Sequence, residues 1–109
     1  MSTFDDREKG FERKYEHDQQ FQFKANSRRN KLLGLWAAGL MGKTGDEAES
    51  YGREIVAADF EKPGHDDVIE RLVRDLAAAG KPTEARTIVK QSELLLTEAR
   101  RQIMNEVKN

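Results

Sequence analysis

The residues from Ala37 to Thr44 carry the chain's best match to a motif with known chemistry. Their sequence, AAGLMGKT, fits a relaxed phosphate-binding loop with alanine at the first glycine position. Such a loop needs a strand before it and a helix after it, so that backbone N–H groups surround a phosphate. Here a helical pattern precedes the motif. We therefore interpret Gly42 as a helix end and Thr44 as a helix cap, and we retain Lys43 only as a candidate nucleotide contact.

The stretch Arg28–Lys31, with the sequence RRNK, is the densest basic cluster and could contact phosphate groups. The whole chain carries 19 Lys and Arg against 20 Asp and Glu, so its net charge of −1 creates no general attraction to nucleic acid or anionic membranes. We interpret the cluster as a solvated helix face. A helical adaptor or nucleic-acid-associated module that uses this patch is the alternative function.

Residues for catalysis or metal binding are scarce. His17-Asp18 and His65-Asp66-Asp67 contain ligand-type side chains, but neither has a second cluster at metal spacing. The chain has no cysteine, which excludes disulfides, thiolate metal sites and cysteine nucleophiles. No nucleophile and base share a useful spacing. The sequence thus predicts no metal, no tightly bound cofactor and no enzymatic activity.

The elements that would position these residues are predicted to be helices. No segment alternates apolar and polar residues, so we predict no strand. Start and stop signals give four helices: one from about Phe4 to Met41, one capped by Thr44 and Glu47 and ending near Phe60, one capped by Asp66 or Asp67 and closed by Gly80, and one with Pro82 in its first turn. Connections of three to six residues favour antiparallel neighbours, and the predicted fold is an all-α four-helix bundle.

The apolar residues of each helix recur at steps of three and four and predict its core face. The expected core residues are Phe21, Ala25, Leu32 and Trp36 in the first helix; Ala48, Tyr51, Ile55 and Ala58 or Asp59 in the second; Val68, Ile69, Leu72, Val73 and Leu76 in the third; and Ala85, Ile88, Ser92, Leu95, Ala99, Gln102 or Ile103, and Val107 in the fourth.

The N-terminal segment has a different pattern. Apart from Met1, it contains no Leu, Ile, Val or Met before Leu32, yet it holds five of the eight aromatic residues. Phe4, Phe11 and Tyr15 share one helical stripe, rotated by roughly 60–100° from the stripe that starts at Phe21. The change falls between residues 17 and 20. We therefore predict a projecting, conditionally helical arm over residues 1–18 and a bundle over residues 19–109, with Phe21 and Phe23 in the bundle.

Several blocks of the chain closely resemble the zeta subunit of alpha-proteobacterial F-type ATP synthases. The longest is RRNKLLGLWAA at residues 28–38. The shorter blocks are FDDRE at 4–8, FE at 11–12, HD at 17–18, FKA at 23–25, LMG at 40–42, Ala57, Asp59 and Phe60, and the loop Pro63-Gly64. The resemblance covers essentially the whole chain, and the fourth helix matches in pattern more than in identity.

The resemblance implies a four-helix bundle that inhibits ATP hydrolysis by the catalytic head of the synthase. Its N-terminal arm would enter a catalytic interface near the central stalk, contacting alpha, beta and gamma subunits. The implied apolar anchors are Phe4, Phe11 and Tyr15, and the implied polar contacts are Asp5, Asp6, Arg7, Lys9, Arg13 and Lys14. It further implies a cytoplasmic protein bound peripherally to the membrane enzyme, without membrane insertion, and weak adenine nucleotide binding on the bundle.

Overall fold

The computed structural model describes residues 18–61 and 64–108. This part of the chain forms four helices and no strand: α1 (Gln19–Leu40), α2 (Gly45–Glu61), α3 (His65–Ala78) and α4 (Ala85–Lys108). The connections span residues 41–44, 62–64 and 79–84, which matches the predicted lengths. The predicted all-α four-helix architecture is confirmed.

Helix α1 begins at a side-chain cap. Asp18 has an extended backbone (φ −72°, ψ 133°), and its carboxylate accepts hydrogen bonds from the N–H groups of Gln20 (2.7 Å) and Phe21 (3.3 Å). An aspartate in this position satisfies N–H groups that have no partner inside the helix. The expected start near Phe4 lies outside the described residues. Within the described residues, the helical backbone of α1 starts after Asp18, inside the predicted change of pattern between residues 17 and 20.

Helix α1 ends in a glycine cap, as predicted. Gly42 has a φ of +82°, a conformation that favours glycine. Its N–H donates to the carbonyl of Gly39 (3.1 Å), and the N–H of Lys43 donates to the carbonyl of Ala38 (2.9 Å). This pair of bonds is the Schellman arrangement, which satisfies the last carbonyl groups of a helix. The end of α3 at Gly80 has the same arrangement, so that prediction is confirmed too.

Helix α2 begins at Gly45, directly after the predicted cap residue Thr44, whereas the start of α3 differs from the prediction. The N–H of Glu47 donates to the backbone carbonyl of Thr44 (3.2 Å) in the first turn of α2. The residue that precedes α3 is Gly64, which makes no side-chain cap bond. The prediction that Asp66 or Asp67 caps α3 is therefore wrong. Both aspartates lie in its first turn, where their charge favours the helix dipole.

The predicted position of Pro82 in the first turn of α4 is also wrong, because α4 begins at Ala85. The hydroxyl of Thr83 donates to the carbonyl of Lys81 (2.9 Å) across the proline. This local bond offers the backbone an alternative to the helix. The helical turn then starts from the carbonyl of Glu84, which accepts from the N–H groups of residues 87 and 88.

Two apolar clusters form the core. The larger one joins all four helices and contains Leu33, Ala37, Ala38, Tyr51, Ile55, Val68, Ile69, Leu72, Leu76 and Ile88. The smaller one contains Phe21 from the start of α1 and Ile103 and Met104 from the end of α4, with Val107 packed against it. The predicted core faces of α2, α3 and α4 are largely confirmed, although Ala85 is exposed. The smaller cluster fixes the start of α1 to the end of α4.

The core face of α1 is only partly as predicted. Phe21 and Ala25 are buried, but Leu32 and Trp36 are half-buried while Leu33 and Ala37 are fully buried. Most inter-helix contacts of α1 are with α2 and α4, so its buried surface is wider than a single stripe. Phe23 lies on the bundle helix α1, but 55% of its surface is exposed.

Helices α1 and α2 touch through glycines. A Cβ atom on Gly34 would lie 2.8 Å from the Cα of Gly52, closer than carbon atoms approach each other. Gly52 faces α1 in the same way, since a Cβ there would lie 3.3 Å from the carbonyl oxygen of Lys31. The two backbones therefore approach more closely than any pair of residues with side chains would allow.

Candidate functional site: a polar layer and a basic groove

The nine residues proposed from the resemblance as partner contacts lie outside the described residues. They are Phe4, Asp5, Asp6, Arg7, Lys9, Phe11, Arg13, Lys14 and Tyr15. Their role therefore stays a prediction, and so does the division at residue 18.

The motif around Lys43 lacks the geometry of a phosphate loop. The N–H groups of Gly42 and Lys43 donate to carbonyls of α1, so they do not point at a ligand. A helix also precedes the motif where a phosphate loop has a strand. The Lys43 side chain is half-buried, and a nucleotide contact through it stays a prediction.

The interpretation of Arg28–Lys31 as a solvated face is wrong. Arg28 donates to the side-chain oxygens of Gln102 (2.7 Å) and Glu106 (2.8 Å), and so it links α1 to α4. Lys31 lies 3.6 Å from the carboxylate of Glu49 on α2. These two cations contribute to the packing of the helices, although they remain partly exposed.

Arg29 and Asn30, the two central residues of the basic stretch, are buried in a polar layer. Along α1 they lie between the residues that contribute to the two apolar clusters of the core. Asn30 is fully buried, and its amide donates to the carboxylate of Asp59 (3.0 Å) on α2. Arg29 is only 8% exposed and donates through Nε to the Asn30 oxygen (2.9 Å). Burial lowers the pKa of Arg29, and the charge of Asp59 opposes that effect. Asn30 thus joins a buried cation to its counter-charge.

His65 and Ser92 extend this layer to α3 and α4. The His65 Nε2 and the Ser92 hydroxyl are 2.7 Å apart, and Ser92 is almost fully buried. The Nδ1 of His65 is also buried and has no hydrogen-bond partner among the described residues. Burial and the nearby charge of Arg29 lower the pKa of His65, against the smaller effects of Asp59 and Asp66.

Ser92 lies in the seam of α4, as the apolar pattern predicts, but its partner His65 was not predicted. A polar residue within an apolar seam is the one signal that could have pointed to a buried hydrogen bond. The pair is not arranged for nucleophilic catalysis, because Ser92 is inaccessible and the Nδ1 of His65 donates to no orienting carboxylate within the described residues.

A groove of about 460 Å³ lies beside the polar layer, where α1, α2 and α4 meet. Its lining combines four cationic side chains with one carboxylate and a partly apolar floor: Phe23, Lys24, Ser27, Arg28, Lys31, Arg53, Val56, Ile103 and Glu106. We call this the basic groove. Arg28 and Lys31 have carboxylate partners, whereas Lys24 and Arg53 have none within the described residues. A site of this size and lining suits an anionic group attached to an apolar one.

Within residues 18–61 and 64–108, no three His, Asp or Glu side chains converge in a way that could hold a metal ion. None of the helices described there is long and apolar enough to cross a membrane.

Fold and site together define a class: a small all-α bundle that offers binding surfaces and whose described residues present no accessible nucleophile–base pair. Within that class, the chain belongs to the ATPase inhibitor subunit zeta family, whose sequence model matches residues 1–102. The predicted family is thereby confirmed. The protein is a member of a family of regulatory inhibitor subunits associated with the ATP synthase.

Comparison with solved structures supports the same fold. A solution NMR structure of a protein shares 45% sequence identity with this chain and superposes with a TM-score of 0.68. The alignment covers 78% of this chain and 96% of that one. No curated protein sequence matches this chain.

Proposed function

We propose that this protein inhibits ATP hydrolysis by the F-type ATP synthase through its N-terminal arm. Residues 1–18 enter an interface between catalytic alpha and beta subunits, close to gamma, and obstruct hydrolytic rotation. The protein acts from the cytoplasm, as a peripheral partner of the membrane enzyme. The observation that carries the proposal is the family match, which begins at residue 1 and so includes the arm.

The described contacts support assigning this role to the arm rather than to the Arg28–Lys31 cluster. That cluster is committed to contacts inside the bundle with α2 and α4. A surface with its charges already paired gains little from a new charged partner. The Arg28–Lys31 cluster therefore lacks the free charges on which the nucleic-acid alternative depends.

Within the arm, the aromatic stripe alone does not account for tight binding. Burying Phe4, Phe11 and Tyr15 contributes about 2 kcal/mol each. Fixing the backbone of a segment costs about 1–2 kcal/mol for every residue that becomes ordered. Polar contacts from Asp5, Asp6 and the neighbouring cations must therefore add to the aromatic anchors. Substituting either set should weaken inhibition.

The decisive experiment compares the intact chain with a chain that starts at Asp18 after its initiator methionine. Asp18 is kept because its carboxylate caps α1. Inhibition of ATP hydrolysis is titrated with purified catalytic heads. We expect the shortened chain to lose inhibition while its circular dichroism and the fluorescence of the half-buried Trp36 stay unchanged.

Full-length variants distinguish the loss of specific side-chain contacts from the effect of shortening the chain. A Phe4/Phe11/Tyr15 triple alanine variant should weaken inhibition, whereas Leu94→Ala should not, although Leu94 is 67% exposed on α4. Undiminished inhibition by the shortened chain would refute the arm assignment. Equal losses from the triple variant and the Leu94 control would argue against specific aromatic anchors.

A further inference from the structure

The basic groove lies close to the point where residues 1–17 join the bundle. Its lining on α1 begins at Phe23, five residues after the cap at Asp18, and ends at Lys31. A helix rises about 1.5 Å per residue, so the far end of the groove is about 20 Å from Asp18 along α1. Asp5 lies thirteen positions before Asp18, and extended chain covers up to about 3.3 Å per residue. The N-terminal segment is therefore long enough to reach any part of the groove.

The groove has a local charge opposite in sign to that of the chain. Its lining carries the cations Lys24, Arg28, Lys31 and Arg53 but only the carboxylate of Glu106, whereas the whole chain has a net charge of −1. Like charges brought together on one surface repel one another, so an anionic occupant stabilises the arrangement. Lys24 and Arg53 are exposed and unpaired within the described residues, which leaves two cations ready for such an occupant.

One stretch of the same chain carries the complementary chemistry. Phe4-Asp5-Asp6 places an aromatic ring directly beside two carboxylates. The groove places the apolar side chains of Val56 and Ile103 beside its cations. The ring matches the apolar floor and the carboxylates match Lys24 and Arg53.

We propose that the basic groove binds the Phe4–Asp6 stretch of its own chain, in a self-docked state that withholds the arm from the ATP synthase. The contact between the groove and the Phe4–Asp6 stretch does not depend on the proposed function. Only the regulatory role of that contact rests on the proposed function. A short link between two parts of one chain gives an effective concentration in the millimolar range. A contact with a dissociation constant of about 1 mM is then occupied in roughly half of the molecules, which leaves an arm that a tighter partner can still capture.

The test is paramagnetic relaxation in the full-length protein. The chain has no cysteine, so Ser2→Cys provides a single site for a nitroxide spin label. Docking predicts a selective loss of amide signal at the groove residues of α1, α2 and α4, relative to the reduced label. It also predicts that the loss declines at about 1 M salt, where the Debye length is about 3 Å.

Charge reversal identifies the contacts. A Lys24→Glu/Arg53→Glu variant should abolish the selective loss, and adding Asp5→Lys/Asp6→Lys should restore it. The matched control is Arg86→Glu/Lys90→Glu, which changes the net charge equally on the first half of α4, away from this groove. Selective loss that survives in the groove variant, or a weak loss spread evenly over the bundle, would overturn the proposal.

A mixed sample distinguishes docking within one chain from docking between two chains. It combines spin-labelled chains at natural isotope abundance with ¹⁵N-labelled chains that carry no spin label. Signal loss in that mixture as strong as within one chain would mean that the groove binds a second copy, and would overturn self-docking. The ATPase titration is a separate measurement. If the groove variant shows no docking but inhibits normally, the inference fails alone; if docking is seen but the shortened chain still inhibits, the proposed function fails alone.

Discussion

The close approach of α1 and α2 makes Gly34→Ala the sharpest structural perturbation in this chain. The added methyl carbon would lie 2.8 Å from the Cα of Gly52 and 3.1 Å from the nearest side-chain carbon of Ile55. Carbon atoms rest about 3.5–4.0 Å apart, so the helices must separate by about 0.7 Å or more. A gap of that size removes a quarter to a half of the dispersion attraction of each contact that it opens. No rotation of a side chain can relieve the clash with Gly52, because its atom is backbone.

The expected free energy change combines two effects of opposite sign. Overpacking costs about 1–3 kcal/mol, and a clash between backbones belongs at the upper end of that range. Replacing glycine by alanine in a helix contributes about 1 kcal/mol in the other direction. We therefore expect Gly34→Ala to lower the free energy of unfolding by about 2 kcal/mol, which corresponds to a fall in Tm of about 8–16 °C for a domain of this size.

Gly39→Ala is the matched control, because it makes the same substitution in the same helix. A Cβ at Gly39 would meet no atom within 4 Å, and its φ is not positive. Only the propensity effect remains, so this variant should be unchanged or more stable by up to about 1 kcal/mol. Urea unfolding followed by circular dichroism measures both variants. If Gly34→Ala were as stable as Gly39→Ala, the close contact between the helices would be refuted.

Three further predictions concern the polar layer and its edge. Asn30→Ala should lower the free energy of unfolding in urea by about 1–3 kcal/mol, because Asp59 loses its buried amide donor and Arg29 loses its acceptor. A change near zero would contradict the hydrogen bonds of the polar layer. Because the pKa of His65 is lowered in the folded state, the unfolded chain binds the extra proton. Stability should therefore fall as the pH drops below about 6.5, by at most about 1.4 kcal/mol per pH unit, and His65→Gln should remove that dependence. Arg28→Ala should lower the free energy of unfolding by less than about 1 kcal/mol, since its ion pair is partly exposed. A larger loss would contradict the view that solvent weakens this pair.

The sequence predicts helix faces better than it predicts what charged residues do. Steps of three and four place Ile55, Leu72 and Ile88 in the core without any knowledge of their partners. Arg29 and Asn30 are misread as a surface patch because their burial depends on Asp59, which lies 29 residues away from Asn30 on another helix. No local pattern encodes that pairing. Composition favours exposure for such residues, and only tertiary contacts override it.

The predictions of where helices start fail for a related reason. Several residues near each start are chemically able to cap, and local geometry decides among them. The carboxylate of Asp18 caps α1, whereas Asp66 and Asp67 do not cap α3, because the chain enters α3 through Gly64 with a φ of 146°. The sequence contains all three aspartates in suitable contexts. The backbone path into each helix, which the sequence does not specify locally, makes the difference.

The block at residues 28–38 is the strongest family signature, and the structure gives its main positions a role in folding. Arg28 joins α4, Asn30 joins α2, and Gly34 permits the close contact between α1 and α2. A variant in this block that loses inhibition therefore says nothing about partner contact until its fold has been measured. The arm has the opposite property, since a chain that starts at Asp18 keeps every described hydrogen bond of the bundle. Loss of inhibition is consequently most direct to interpret for substitutions before residue 18, which change none of the described contacts of the bundle.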